Sequence, residues 1–226
     1  MKLSDAVDQR MSVRAFTPER PPRSVVEDIL RRAARAPSGG NLQPWRVHVL
    51  TGQPLAALLA DVAGILADPA RRETPEYDVY PKDLWDPLRT RRFQAGEDLY
   101  ATLGVPREDR AGRLTQFANN FRLFGAPVGL FFILDRRVGP PQWSDMGMLM
   151  QTVMLLAVEA GLDTCAQEAW SQFPKTIARH LQLEEHEMLF SGMALGYRDT
   201  AHPVNSLRTR REALEDFTVI RGYDAD

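Results

Sequence analysis

Apolar positions recur along this chain at two different spacings. Over residues 24–36, SVVEDILRRAARA, Val25, Ile29, Ala33 and Ala36 fall on one stripe at the period of an amphipathic helix. Ser24 stands as its N-cap, Glu27 completes a capping box, and Pro37 ends it. A shorter helical stretch, 5–10, follows Ser4, and 54–67 carries the amphipathic pattern again. Residues 145–164, DMGMLMQTVMLLAVEAGLDT, are apolar nearly all round and closed by Gly161. A helix of that kind is buried on most sides, in a core or at a subunit interface. APVGLFFILD (126–135) is instead an unbroken apolar run of strand length, as expected for a central strand covered on both faces. Residues 46–50, 189–197 and 217–221 read as further strands, with Gly192 and Gly196 allowing close approach in the second. Strands separated by helices without a strict βαβ rhythm predict an α+β fold, with helices about one sheet.

The segment 68–113 departs from this pattern. It holds nine basic and ten acidic residues, interleaved with Tyr77, Tyr80, Trp85, Phe93 and Tyr100. Balanced signs make it a solvated, partly helical excursion and not a track for a phosphate backbone. Its aromatics are either the underside of a cap or the inner faces of ordinary amphipathic helices. The chain has 226 residues, no repeat and no low-complexity linker, and it reads as one domain, 1–226. Apolar residues make up 44% and the formal net charge is −2, which gives ample core and argues against a nucleic-acid binder. Cys165 is the only cysteine, which excludes an internal disulfide and suits a reducing compartment. The opening residues lack an apolar signal core, and the apolar stretch near 146–158 is too short and too interrupted to span a bilayer. The expectation is a cytoplasmic protein with no membrane partner.

Several familiar chemistries are missing. There is no phosphate loop, no G-x-G-x-x-G opening a helix, and no G-x-S-x-G elbow. His48, His180, His186 and His202 lack metal-ligand spacing, so no metal is expected. Two arginine clusters remain, at opposite ends of the chain. In QRMSVRAF, Arg10, Ser12 and Arg14 alternate, and in an extended segment such positions share a face. Near the end, VNSLRTRREALEDF carries Arg208, Arg210 and Arg211. Guanidinium groups recognise phosphate through paired, charge-assisted hydrogen bonds. Either cluster alone also fits salt-bridged surface arginines, and spacing does not say whether the two meet. PSGGNLQPWRVHVL (37–50) poses a similar choice: bare backbone ahead of an indole suits a flat ligand lying close, or a tight turn.

Four segments, in order, resemble the nitroreductase-like flavoproteins. RMSVRAF resembles their R-x-S-x-R-x-F opening, and APSGGNLQPWRVHVL their A-P-S-x-x-N-x-Q-P-W segment. GLDTCAQEAW sits where they have a flavin-facing strand-to-loop, and GMALGYRDTAHPVNSLRTRREALEDF resembles their closing G-x-x-x-G-Y…N-x-x-R-x-x-R. The middle, YPKDLWDPLRTRRFQAGEDLYATLGVPREDR, looks like the longer excursion of the branch that contains nitrobenzoate and nitroaromatic reductases.

The resemblance implies a mostly antiparallel sheet flanked by helices, an intertwined homodimer, and FMN held in a groove between protomers. It implies that Arg10, Ser12, Arg14 and Arg211 hold the phosphate with help from Arg208, Arg211 being preferred over Arg210. Pro37, Ser38, Gly39, Gly40 and Asn41 would come from the other subunit to lie against the isoalloxazine. Gln167, Glu168 and Ala169 would run along the far side of the ring, with a backbone N–H toward N5. Asn119 or Asn120 would meet the pyrimidine edge, and Arg122 would place positive charge near it. Cys165 reads as a small buried hydrophobe, and Trp45 and Trp170 as packing. The implied activity is ping-pong reduction of nitroaromatic or similar electron-poor rings by NADPH or NADH, with no side chain acting as a catalytic group. Reductive dehalogenation, flavin fragmentation and flavin binding without turnover are the alternatives.

Overall fold

The structure is a computed structural model that describes residues 1–223. Its centre is a sheet of β1 (Arg46–Thr51), β2 (Val128–Asp135), β3 (Asp163–Gln167) and β4 (Glu187–Gly196) in the order β1-β2-β4-β3. Every pairing is antiparallel, with one bulge in the β2–β4 ladder at Phe132/Ile133. The run read as a covered strand is β2, which is buried along almost all its length. Its side chains alternate between two cores, as the two-residue period requires. Leu130, Phe132 and Leu134 face one side, and Phe131 and Ile133 the other.

Helices cover both faces. In chain order they are α1 (Leu3–Gln9), α2 (Arg23–Ala33), α3 (Gly52–Ala67), α4 (Leu88–Thr102), α5 (Arg110–Ala118), α6 (Pro140–Glu159), α7 (Pro174–Leu181) and α8 (Leu214–Phe217). On one face α2 and α6 set Val26, Ile29, Ala33, Leu149 and Val153 against β2 and β4. On the other, α3 supplies Leu55, Leu58, Val62 and Ile65, and α7 supplies Ile177 and Leu181. Helix α4 and the first turn of α5 belong to the polar excursion. No helix among the described residues is long and apolar enough to cross a membrane.

Several elements differ from their sequence-based expectations. Helix α2 starts at Arg23 behind Pro22, and Ser24 makes no capping bond. Proline fixes the entry angle one residue earlier, and Glu27 reaches back to Arg23 at 2.7 Å instead. Helix α6 begins five residues before 145 and ends at Glu159, while 163 and 164 belong to β3. Within one chain Met146, Leu149, Met150, Val153 and Ala157 point inward, while Gly147, Met148 and Gln151 are exposed. Residues 217–221 form no strand, because nothing among the described residues pairs with them. The short α8 occupies 214–217, and Val219 and Ile220 are exposed. Helix α7 had no expectation attached. Its first turn is satisfied by Glu73, whose carboxylate accepts from the Lys175 amide at 2.6 Å and the Thr176 amide at 3.1 Å.

The start of the excursion is tied to this frame. Glu76 donates its amide to the Ser171 carbonyl, and the Tyr77 hydroxyl donates to the Phe190 carbonyl. Tyr77 packs against Trp143 and Phe190, whereas Tyr80, Trp85 and Phe93 are half or more exposed and α4 buries nothing.

Candidate functional site

The two chain ends meet along the free edge of β3. Residues 11–16 run beside it, with Ser12 bridging Thr164 and the Val13 amide donating to the Thr164 carbonyl at 3.0 Å. Extended backbone sends Met11, Val13 and Ala15 into the core, so Arg10, Ser12 and Arg14 share the opposite side. The closing segment is fastened to this strip by Asn205. Its Oδ1 accepts from the Arg14 amide at 2.9 Å, and its Nδ2 donates to the Ala15 and Asp199 carbonyls at 2.8 Å each. Upstream, Arg198 forms a two-armed pair with the buried carboxylate of Asp163 at the start of β3. The sequence reading gave no role to Asn205, the asparagine of the closing motif, or to Arg198.

With the ends fastened, Arg10, Ser12, Arg14, Arg208 and Arg211 line one cleft of about 430 Å³, joined by Gln151 from α6. None of its four guanidinium groups has a carboxylate partner among the described residues. Arg14 donates to the Ser12 carbonyl at 3.2 Å and Arg208 to the Gln9 carbonyl at 3.1 Å. The Arg211 guanidinium donates to Thr209 Oγ1 and the Arg210 carbonyl, each at 2.7 Å. Burial, then the like charges of Arg211 and Arg208, depress the Arg10 guanidinium below its ordinary value. A cleft that gathers four guanidiniums without carboxylate partners suits an anion with several oxygens, such as a phosphate monoester. Arg210 points away from it, toward Asp98 at 3.5 Å.

The loop 37–41 does not line this cleft within one protomer. It folds over the start of α6, where the Gly39 amide donates to Asp145 Oδ1 at 3.2 Å and Ser38 Oγ accepts from the Gln43 amide at 3.0 Å. Gly40 takes φ +57°, and a β-carbon there would have open space around it. Backbone conformation therefore favours the glycine, as it does the asparagine that follows at the same φ, and the face of the loop stays open. Asp145 is 3% exposed and its Oδ2 has no partner. The helical periodicity of 145–164 gave no sign of that anchoring role.

At the end of β3, Gln167 is buried, and its Nε2 donates to the Asn120 carbonyl at 2.7 Å and approaches Asn120 Oδ1 at 3.3 Å. The structure thus couples Asn120 to the β3 end, while Asn119 bonds Gln116 at 3.1 Å. Glu168 is exposed, Ala169 is half-buried and Arg122 is exposed. Cys165 is fully enclosed, and burial pushes its thiol up to about 11, so it is a packing residue and not a nucleophile. Trp170 is also packing. Its indole lies against β4 where Gly192 has no side chain, and Trp45 is half-buried against the α2–α6 core. No group of three potential metal ligands occurs among the described residues.

Comparison with known proteins agrees with this geometry. The family model described as "Nitroreductase family" matches residues 7–197. A 4-nitrobenzoate reductase of Pseudomonas putida is 39% identical over 96% of this chain and 95% of its own length. A nitrobenzene nitroreductase of Ectopseudomonas oleovorans is 34% identical over the same shares. Among solved structures, the FMN- and NADPH-dependent nitroreductase NfnB of Sphigopyxis sp. strain HMH is 46% identical. It superposes with a TM-score of 0.95, covering 99% of this chain and all of its own. The NADPH complex of the FMN-dependent NfnB of Mycobacterium smegmatis is 28% identical with a TM-score of 0.91, over 98% of this chain and all of its own. Likeness that runs along nearly the whole chain, in sequence and in backbone alike, means that this protein belongs to the nitroreductase family.

Proposed function

We propose that this protein is an FMN-dependent oxidoreductase that uses NADPH or NADH to reduce nitroaromatic or similarly electron-poor rings. The observation that carries the reading is the cleft of four arginines without carboxylate partners, assembled from both chain ends. Its volume and charge fit the phosphate of a mononucleotide. FMN, when bound, supplies the two-electron carrier, and this chain's residues supply placement. Arg10, Ser12, Arg14, Arg208 and Arg211 hold the phosphate. Gln167 and Asn120, locked together at the end of β3, hold the polar edge of the ring, and 167–169 run beside it. The bare loop 37–41 of a second copy lies against the ring's face, with Gly40 keeping side chains out of the way. No side chain acts as nucleophile or general base; rate comes from holding reactants in register and favouring the negative charge that develops. Reductant and acceptor use one slot in turn, which gives ping-pong kinetics.

A homodimer is part of this reading. Leu214, Phe217, Val219, Ile220 and Tyr223 at the closing end, Leu3 and Val7 on α1 and Met148 on α6 are exposed in a single chain. That much apolar surface suits burial against another copy. The excursion 68–113 acts as a helical cap on the single domain, presenting Tyr80, Trp85 and Phe93 to solvent and substrate. A lone buried thiol fits the cytoplasm.

The test is a visible spectrum of the purified protein, taken anaerobically before and after NADPH or NADH and again after a nitroarene, with sedimentation alongside. The reading expects flavin bands that bleach with reductant and return with nitroarene, in a particle twice the chain mass. Colourless protein that refuses FMN and sediments as a monomer overturns it. Bound flavin that no nicotinamide nucleotide bleaches leaves a flavin-binding protein without turnover.

A further inference from the structure

A second cleft, of about 630 Å³, lies between α4 and the segment 209–212 and shares Thr209 and Arg211 with the first. Its walls carry Arg91, Arg92, Arg210 and Arg211 against only Asp98 and Glu212. The two acids do not neutralise the four bases. Glu212 is taken by Arg91 at 2.8 Å. Asp98 Oδ1 accepts from Gln94 at 2.8 Å and leaves Arg210 at 3.5 Å, too long for a strong charge-assisted bond. Arg92 has no carboxylate partner among the described residues; its guanidinium lies 4.1 Å over the Tyr80 ring. A guanidinium stacked on an aromatic face keeps its edge N–H groups free to donate.

Helix α4 has no fully buried residue, and polar contacts, the Arg91–Glu212 pair among them, turn one of its faces to the closing segment. That face carries Thr90, Arg91, Gln94 and Asp98 at helical spacing, with Ala95 beside them. We propose that this cleft takes the adenosine end of the nicotinamide reductant, and that Arg92 and Arg210 receive its 2′-phosphate. The protein then discriminates NADPH from NADH. This rests on the oxidoreductase reading above and names the reductant that reading leaves open. The shared Arg211 places a dinucleotide here beside the ligand of the first cleft. The cleft volume suits a nucleotide better than a bare anion.

The experiment uses FMN-loaded protein and does not depend on turnover. Calorimetry compares adenosine 2′,5′-bisphosphate, adenosine 5′-monophosphate and inorganic phosphate. The bisphosphate is expected to bind at least about tenfold more tightly than the other two, the difference one charge-assisted phosphate contact makes. The double variant Arg92→Gln/Arg210→Gln should erase that difference. It should also lower the ratio of kcat/KM for NADPH over NADH about ten- to a hundredfold. Flavin content and melting temperature report that the fold and first cleft survive. If the double variant does not fold, Arg92→Lys alone is expected to give an intermediate loss, keeping the charge without the fork. Equal binding of the two adenosine ligands, inorganic phosphate binding as tightly as the bisphosphate, or an unchanged NADPH-to-NADH ratio each overturns the proposal. Failure of both nucleotides to bleach the wild-type flavin overturns the oxidoreductase reading, and the calorimetry still decides the cleft.

Discussion

Replacing Asn205 by Ala asks whether the anion cleft depends on a strut outside it. The side chain makes three hydrogen bonds to backbone, accepting from Arg14 at 2.9 Å and donating to Ala15 and Asp199 at 2.8 Å. A neutral hydrogen bond contributes about 0.5–1.5 kcal/mol net, and the half-buried site lets water replace part of each. The summed loss is about 2–3 kcal/mol. For a chain of this size each kcal/mol moves the melting temperature by about 2–4 °C, so the apoprotein should melt about 4–12 °C lower.

The second consequence is on binding. Arg208 and Arg211 follow Asn205 by three and six residues, and Asn205 is what holds their segment against Arg10 and Arg14. Buried Val204 still pins the turn before it, so the chain stays folded while the last arginines lose their register. FMN affinity should fall at least about tenfold, or 1.4 kcal/mol. Asn205→Asp should be no better, because an oxygen then faces the two carbonyls that the amide served. Calorimetric melting at fixed protein concentration, with a titration of FMN fluorescence quenching, reads both quantities. A variant whose melting point and affinity match the wild type refutes the strut. One that melts early but binds FMN normally refutes its link to the cleft.

The remaining expectations are simpler. Arg211→Ala should weaken FMN binding about ten- to a hundredfold, whereas Arg71→Ala, which removes a partner of Asp61 outside the cleft, should retain it; equal retention counts against the phosphate site. Gly192→Ala would set a β-carbon 2.5 Å from Trp170 Cδ1, and overpacking that enclosed indole should destabilise by about 1–3 kcal/mol in a denaturant melt. Acidification should act in two stages. Burial, then the charge of Arg46, holds the His48 imidazole below its ordinary value, so the unfolded chain takes up the proton first. That stability is present above about pH 6.5 and declines as pH falls below it. Asp61 is held low mainly by the His180 hydrogen bond. Burial raises Glu187, but the Glu184 amide and Arg46 outweigh it, so its net shift is also downward. Their contributions persist above the ordinary carboxylate range and fade as pH drops through it. A melting temperature that is flat from pH 7 to about pH 5 and unmoved by His48→Gln refutes the first stage.

What the sequence reveals follows how local the cause is. Strand β2 was legible because burial on both faces leaves an unbroken apolar run, and no distant residue is needed to recognise it. The side-by-side placement of Arg10, Ser12 and Arg14 was legible because alternation is a property of extended backbone alone. Arg211 entering the cleft while Arg210 turns to Asp98 was not legible from spacing, since adjacent arginines differ only in the direction the closing segment takes; the preference for Arg211 came from the family resemblance. The cap of α7 by Glu73 and the seating of Gly39 on Asp145 join residues about a hundred positions apart. The 217–221 stretch misled for the opposite reason: its β-branched residues have strand propensity, but a strand exists only where another can pair with it.

Convergence of the two ends has an energetic consequence of its own. Arg10, Arg208 and Arg211 bring like charges to one cleft, which opposes its closure in the free chain, and hydrogen bonds such as those of Asn205 hold the two ends together. A dianion reverses the sign of that electrostatic contribution, so binding and fastening of the ends favour one another. At a free concentration a hundred times the dissociation constant, such a ligand stabilises by about 2.7 kcal/mol. Amide exchange should then slow on adding FMN at Val13, Arg14 and Asp199, whose N–H groups close the junction. Buried β2, with no part in that junction, should respond only as far as global stability rises. Sulfate should reproduce a fraction of the effect at the junction, because the first requirement of the cleft is negative charge. Protection that rises uniformly along the chain, or a junction already as protected as β2 in the apoprotein, would mean the ends are held by packing and that the arginines are not in tension with it.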